Sequence, residues 1–170
     1  MWRFKILLIF VSLLSTVQAQ NSRIDFVIKN LGINVDGNFE IFTINAEIGD
    51  NSELKNLNGK ITASSIKTGI DSRDEHLIEE DYFDVENHKY ITLKSKTISK
   101  ISENIYSVEA NLNIKGITKI ITFKATLEKV NNKHKITSNF EINRKDFNVG
   151  GGSFVMSKTV KIKVVYYQDI

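Results

Sequence analysis

Apolar and polar residues alternate along most of the chain after residue 20, with a period of two residues. This alternation is typical of β-strands that bury one face and expose the other. Eight segments show it, and their apolar positions begin at Ile24, Phe39, Leu57, Ile91, Tyr106, Ile117, Ile136 and Val160. Because most connections are short turns, neighbouring strands should pair antiparallel. The pattern predicts an all-β fold, in which the eight strands either close into a barrel or stack as a sandwich.

The alternation changes phase once, inside the second predicted strand. Phe39 and Phe42 are three positions apart, whereas Phe42, Ile44 and Ala46 keep the period of two. An odd spacing of this kind indicates a bulge or a bend in the strand.

Residues 69–86 do not follow the strand pattern and are rich in carboxylates. Ser72 followed three residues later by Glu75 is a capping box, so a short helix is predicted to begin at Arg73. Negative charge is unfavourable at the carbonyl end of a helix, and this helix should therefore end near Glu80. It lies between the third and fourth predicted strands.

The predicted inner face mixes bulky side chains with small ones. The small residues are Gly59, Ala63, Ala110, Ala125 and Ser138. In an eight-stranded barrel such gaps leave room for one ligand, but small residues also face bulky partners across a dry core. The periodicity by itself favours neither interpretation.

Composition argues against several functional classes. The chain carries 23 basic and 20 acidic residues, but Arg3 and Lys5 belong to the N-terminal segment, and without them the balance is 21 minus 20, or +1. Nucleic-acid binding is not indicated, since no basic cluster stands out either. The chain has no cysteine, which excludes disulfide and thiol chemistry.

The first residues resemble a secretory signal peptide. Two basic residues precede an apolar core at residues 6–14, and residues 17–19 offer a small-residue cleavage site. A core of nine residues is too short to cross a bilayer, which takes about 20 in a helix. We therefore expect residues 1–19 to be removed, residues 20–170 to form one domain, and the protein to be exported to the periplasm or the extracellular space.

Several segments, in this order along the chain, carry a resemblance to a known family. They read FVIKNLG at 26–32, RDEHL at 73–77, DYFDVE at 81–86, LNIKGITK at 112–119 and INRKDFNVGG at 142–151. They resemble the YceI-like family of secreted or periplasmic lipocalin-like barrels, which bind polyisoprenoids and related long-chain lipids. The chain departs from the family pattern at Lys89, where proline is usual, and at Asn148, where glycine is usual.

The resemblance implies an eight-stranded antiparallel lipocalin-like barrel with one short helix between strands 3 and 4. A lipid would lie inside, with the helix over one end of the barrel. The residues expected to line the cavity are Phe26, Ile28, Phe39, Leu77, Tyr82, Phe83, Leu93, Ala110, Leu112, Phe123, Phe140 and Phe147. The resemblance also suggests a homodimer and transient contact with a membrane.

Polar side chains near the helix suggest two further interpretations. Arg73 and His76 could meet a polar head group of the ligand, or Arg73 could be held by nearby carboxylates such as Asp74. His76 and Glu80 share a helix face, but a metal site takes three or more protein ligands, so an ion pair is favoured. We predict no metal ion and no cofactor.

The leading hypothesis is an exported protein that binds a long apolar lipid. The alternatives are a small enzyme that uses Arg73, His76 and the neighbouring carboxylates, and a stress-related barrel with a filled core. No catalytic residue is predicted, because the chain lacks a Gly-x-Ser-x-Gly elbow. The glycines at 150–152 lack the lysine of a phosphate-binding loop and predict a turn, held by Arg144 and Asp146.

Overall fold

The structure is a computed structural model that describes residues 21–170. The predicted signal peptide, residues 1–19, and the expected new terminus at Gln20 lie outside the described residues. The strands are β1 (Arg23–Asn30), β2 (Ile33–Phe39), β3 (Phe42–Ile48), β4 (Leu54–Thr62), β5 (Ile66–Lys67), β6 (Tyr90–Lys100), β7 (Ile105–Ile114), β8 (Ile117–Val130), β9 (Lys133–Asn143) and β10 (Met156–Asp169). The helix is α1 (Asp71–Leu77), and two 3₁₀ turns span Ala63–Ser65 and Arg144–Phe147.

The strands form one antiparallel sheet in the order β3-β4-β6-β7-β8-β9-β10-β1-β2-β5. The predicted all-β class with one helix is therefore confirmed, but there are ten strands and not eight. The second predicted strand is divided into β2 and β3 at Glu40 and Ile41, where the odd spacing indicated a bend. The additional strand, β5, has two residues and pairs with the end of β2, so α1 follows the fifth strand.

The sheet curls into a barrel because β2 runs directly into β3. The strand β2 pairs with β1 and β3 pairs with β4, so the two sides of the sheet are joined through the bend. The backbone N–H of Glu40 donates to the carbonyl of Ser65 at 3.1 Å, and Thr62 donates to Ile41 at 2.9 Å. These bonds tie the bend to the 3₁₀ turn that leads into β5.

One end of the barrel carries the helical segment, residues 68–89, and we call it the helix end. The β1–β2 turn and the β9–β10 connection lie there together, since Asn30 pairs with Met156. Gly150 N–H donates to the Asp81 carbonyl at 2.8 Å, and Lys115 in the β7–β8 turn donates to another carbonyl of the segment. The helical segment is thus fastened to two strand connections.

The helix differs from the sequence prediction at both ends. It begins at Asp71 and ends at Leu77, and Ile70 occupies the N-cap position without a side-chain bond. The predicted capping box at Ser72 is therefore wrong. Asp74 makes the anchoring contact instead, because its Oδ1 accepts hydrogen bonds from Thr68 N at 2.9 Å and Thr68 Oγ1 at 2.5 Å. Within residues 21–170 no helix is long and apolar enough to cross a membrane.

The buried apolar residues form two clusters, one toward the helix end and one beyond it. The first consists of Ile24, Phe26, Phe39, Ala63, Ile66, Ile91, Leu112, Ile114, Phe147 and Val149. The second, which we call the distal cluster, consists of Ala46, Leu54, Leu57, Tyr106, Val108, Ala110, Phe123, Ala125, Leu127 and Ile136. Side chains of the helical segment, including Leu77 and Phe83, pack against the first cluster only.

Candidate ligand-binding cavity

An apolar cavity of about 230 Å³ lies inside the curled sheet. All ten strands contribute to its lining, together with Leu77, Tyr82 and Phe83 of the helical segment. A water molecule occupies about 30 Å³ and needs polar partners to remain in a protein interior. The space is therefore far larger than a packing defect, and its lining suits apolar matter better than water.

Most of the residues predicted to line a cavity do meet in this one. They are Phe26, Ile28, Phe39, Leu77, Tyr82, Phe83, Leu93, Leu112, Phe123, Phe140 and Phe147. Ala110 does not line it, and that placement was wrong. Its side chain is fully buried in the distal cluster, where the neighbouring side chains close around it.

The small residues of the inner face serve two different purposes. Gly59 and Ser138 line the cavity. Ala63, Ala110 and Ala125 are at most 1% exposed and belong to the dry core. The sequence left two interpretations of the small residues open, a cavity and a dry core. The first is correct for Gly59 and Ser138, and the second for the three alanines.

Gly59 is a position where the lining has room for a side chain. It lies between Leu57 and Ile61 on the inner side of β4, and all three residues border the cavity. A Cβ atom added at Gly59 would have Leu93 Cβ as its nearest neighbour, at 3.9 Å, which is an ordinary van der Waals contact. A larger side chain here would therefore extend into the cavity without displacing the backbone.

Arg73 is a fixed cation at the cavity wall. Its Nε donates to Thr68 Oγ1 and its Nη2 donates to the Thr68 carbonyl, both at 2.7 Å. Thr68 also lines the cavity and is held in turn by Asp74. Within residues 21–170 Arg73 has no carboxylate within 4.0 Å and its Nη1 makes no hydrogen bond. The guanidinium is positioned by a threonine and retains donors for another acceptor.

His76 lies outside the cavity. It is exposed, and its Nδ1 is 2.7 Å from Glu79 Oε2. The imidazole also contacts the Tyr82 ring edge-on, with 4.9 Å between centroids. The structure therefore separates His76 from Arg73, and the expected shared head-group site is not formed. Among residues 21–170 no three metal-ligating side chains form a cluster. The predicted ion pair of His76 is made with Glu79 and not with Glu80.

Arg144 is a cavity residue that the sequence did not place there. It is 3% exposed, and burial lowers its pKa, although a guanidinium stays charged in proteins. Its donors reach the carbonyl oxygens of Val149, Gly150, Ser153, Met156 and Ser157. These five bonds use all five N–H groups, so Arg144 organises the glycine turn and has no donor left for a ligand.

The turn itself follows the sequence prediction in part. Arg144 holds it as expected, whereas Asp146 accepts a bond from Asn143 Nδ2 at 2.9 Å and does not contact the glycines. Asn148 adopts a left-handed conformation with φ of 54°, which asparagine tolerates better than most residues. The only sequence signal for Arg144 was its position beside the glycines.

The cavity offers no acid–base pair. None of the histidines, aspartates or glutamates of residues 21–170 lines it. At the wall away from the helix, burial raises the pKa of the Tyr166 hydroxyl. The arrangement is suited to apolar contact rather than to proton transfer.

The sequence and the structure of this chain are both similar to those of proteins from one family. Residues 16–166 match the model of the YceI-like domain. A UPF0312 protein of Staphylococcus aureus is 38% identical over 111 residues, or 64% of this chain and 61% of that protein. A UPF0312 protein of Serratia proteamaculans is 31% identical over 112 residues, which are 65% of this chain and 58% of that protein. The match thus spans about three fifths of each relative.

Solved structures share the fold at low sequence identity. BcnA of Burkholderia cenocepacia has a TM-score of 0.81 at 22% identity, over 86% of this chain and 96% of its own. A polyisoprenoid binding domain of Saccharophagus degradans has a TM-score of 0.71 at 17% identity, over 88% and 94%. A YceI protein of Campylobacter jejuni has a TM-score of 0.70 at 24% identity, over 81% and 87%. Because the family model covers most of its length, the chain belongs to the YceI-like family.

Proposed function

We propose that this protein binds one long-chain apolar lipid inside its barrel, for carriage, storage or sequestration. The ligand would be a polyisoprenoid, an isoprenoid quinone or a similar amphiphile. The observation that carries the proposal is the cavity of about 230 Å³, whose lining is almost wholly apolar. The description of the Saccharophagus degradans neighbour as a polyisoprenoid binding domain supports the same class of ligand.

The tail of such a ligand would supply most of its affinity. Larger ligands gain about 0.3 kcal/mol per heavy atom, so each five-carbon isoprenoid unit contributes about 1.5 kcal/mol. A single charge-assisted hydrogen bond contributes about 1.5–3 kcal/mol. Several units in the cavity therefore outweigh one contact to a polar head.

Mass spectrometry of lipid released by denaturation tests the proposal. The purified protein should release a long-chain isoprenoid or similar lipid, in an amount approaching one molecule per chain. A protein that releases no lipid, and that binds none when isoprenoids are added, would contradict the proposal and leave the filled-core alternative. The enzyme alternative has no side-chain pair in the cavity to support it.

Arg73 is the residue we assign to the polar head of the ligand, because it borders the cavity with donors unused. Arg73→Ala should weaken binding severalfold to about a hundredfold, the effect of losing one charge-assisted bond. Titration with a fluorescent isoprenoid measures the change. Arg23→Ala is the matched control, since Arg23 is an exposed arginine paired with Asp25. Equal affinities for the two variants would place the head group elsewhere.

Export is the second part of the proposal, and it rests on the N-terminal pattern of basic, apolar and small residues. Protein recovered outside the cytoplasm should begin at or near Gln20 when its N-terminus is sequenced. Recovery of intact Met1 in a membrane fraction would instead indicate an uncleaved anchor.

A homodimer is proposed on the family resemblance alone. Light scattering of the purified protein at micromolar concentration should give the mass of two chains. The mass of one chain under those conditions would contradict the homodimer.

A further inference from the structure

Four large apolar side chains project into water at the helix end of the barrel. They are Leu31, Ile33, Phe154 and Val155, which are 72%, 71%, 100% and 53% exposed. Their two segments are joined, because Leu31 N–H donates to the Val155 carbonyl at 2.9 Å. We call this group the apolar tip. Exposed apolar groups that are contiguous mark interaction sites more often than isolated ones do.

The conformation of Leu31 shows that the fold does not require leucine there. Leu31 and Gly32 form the two-residue turn between β1 and β2, with φ values of 52° and 79°. Turns with both residues in the left-handed region favour asparagine and glycine. A bulky residue at positive φ is strained, so asparagine would suit this turn better than leucine.

The apolar tip adjoins the cavity. Asn30 precedes Leu31, Met156 follows Val155, and both of these residues line the cavity. They also pair with each other across β1 and β10. The tip is therefore at the rim of the same space that we assign to the lipid.

The apolar tip itself carries little charge. Residues 28–35 contain a single charged side chain, Lys29, and residues 148–158 contain a single one, Lys158. Asp36 follows the first stretch, and the helical segment at the same end of the barrel carries eight carboxylates and is bonded to Gly150. The charge at this end therefore gives no preference for anionic lipid, and contact with a membrane would depend on the apolar side chains.

We propose that the apolar tip docks on a lipid bilayer and that the ligand enters and leaves the cavity there. This inference rests on the proposed function, because a long apolar ligand resides in membranes and passes through water only at high cost. A second copy of the chain is a poorer occupant. Four side chains supply roughly 500 Å² at most, whereas a stable interface buries about 800 Å² on each partner.

Vesicle flotation tests the docking. The purified mature protein should float with vesicles of phosphatidylcholine. The double variant Leu31→Asn/Phe154→Ser should partition at least about tenfold more weakly, since two apolar side chains no longer enter the bilayer. Asparagine suits the turn and Phe154 is fully exposed, so the variant should fold normally.

The control variant Ile101→Asn removes an exposed isoleucine from the β6–β7 turn at the opposite end of the barrel and should float like the parent. A double variant that floats equally well, or a parent that never floats, would overturn the docking. One further result would also overturn the docking: the parent does not bind vesicles but forms a dimer, and the double variant is a monomer. The apolar tip would then be a surface for self-association.

A soluble fluorescent farnesyl probe, titrated without vesicles, separates this inference from the proposed function. Parent and double variant should bind the probe equally, while transfer of a longer isoprenoid from vesicles should be slower for the variant. Probe binding by both proteins with unchanged flotation would refute the docking alone. Tip-dependent flotation without probe binding by either protein would support the docking and refute the lipid-filled cavity.

Discussion

Replacing Gly59 with phenylalanine is expected to weaken binding of long-chain lipid strongly while the protein remains folded. The ring would enter the cavity from β4, and the seven side-chain carbon atoms take the space of about one to two isoprenoid units. At about 0.3 kcal/mol per heavy atom this removes about 2 kcal/mol, or roughly thirtyfold in affinity. The fold should tolerate the change, because aromatic residues favour strands and the added Cβ meets only Leu93 at 3.9 Å.

Titration of a fluorescent isoprenoid into the purified variant measures this loss. Lys60→Phe is the matched control, since it places the same ring on the exposed outer side of the same strand. Gly59→Ala is a second control that adds a single methyl group. Both controls should bind nearly as the parent does. Normal binding by Gly59→Phe would mean that the ligand lies outside the barrel.

Replacing Arg144 with methionine is expected to cause the largest loss of stability of any single change described here. The variant leaves five buried or partly buried carbonyl oxygens without their donor. Loss of such a network costs about 3–5 kcal/mol. For a domain of this size, each kcal/mol lowers the melting temperature by about 2–4 °C, so a decrease of at least about 6 °C should result.

Circular dichroism during heating measures the effect. Lys145→Met is the control, because it removes a cation from the adjacent exposed residue and should leave the melting temperature unchanged. Arg144→Lys should be more stable than Arg144→Met but less stable than the parent. The lysine ammonium has three donors, whereas the planar guanidinium has five in a fixed arrangement. A melting temperature of Arg144→Met within about 2 °C of the parent would show that the five bonds contribute little.

The strands were predictable because each depends on a local pattern that burial enforces. Alternation located the strands, and the spacing of Phe39 and Phe42 located the bend between β2 and β3. The two residues of β5 were missed, since Ile66 and Lys67 are too few to show a period. Their pairing with β2 depends on a contact between residues distant in sequence.

The helix cap was mispredicted because two local signals competed. Ser72 and Glu75 have the spacing of a capping box, but Asp74 is buried and bonds to Thr68 at the end of β5. That contact fixes where the helix starts, and it places Ser72 inside the first turn. Tertiary structure thus overrode a motif that four residues define.

The cavity was predictable in its apolar lining and not in its details. Periodicity states which side chains face inward, but it does not state how deeply each lies or what faces it across the barrel. Ala110 and Gly59 have equivalent positions in the pattern, yet Ala110 is enclosed by the distal cluster and Gly59 borders open space. Arg144 was predicted to hold the glycine turn, but its place in the cavity lining was missed, because a charged residue near glycines gives no sign of five buried bonds.

The dependence of affinity on chain length tests the central claim most directly. Isoprenoid alcohols of increasing length, titrated into the parent and Gly59→Phe, should bind the parent about tenfold more tightly for each added unit until the cavity is full. Gly59→Phe should reach its plateau about one to two units earlier. Affinity that does not change with length, or the same limiting length in both proteins, would contradict a lipid tail held inside the barrel.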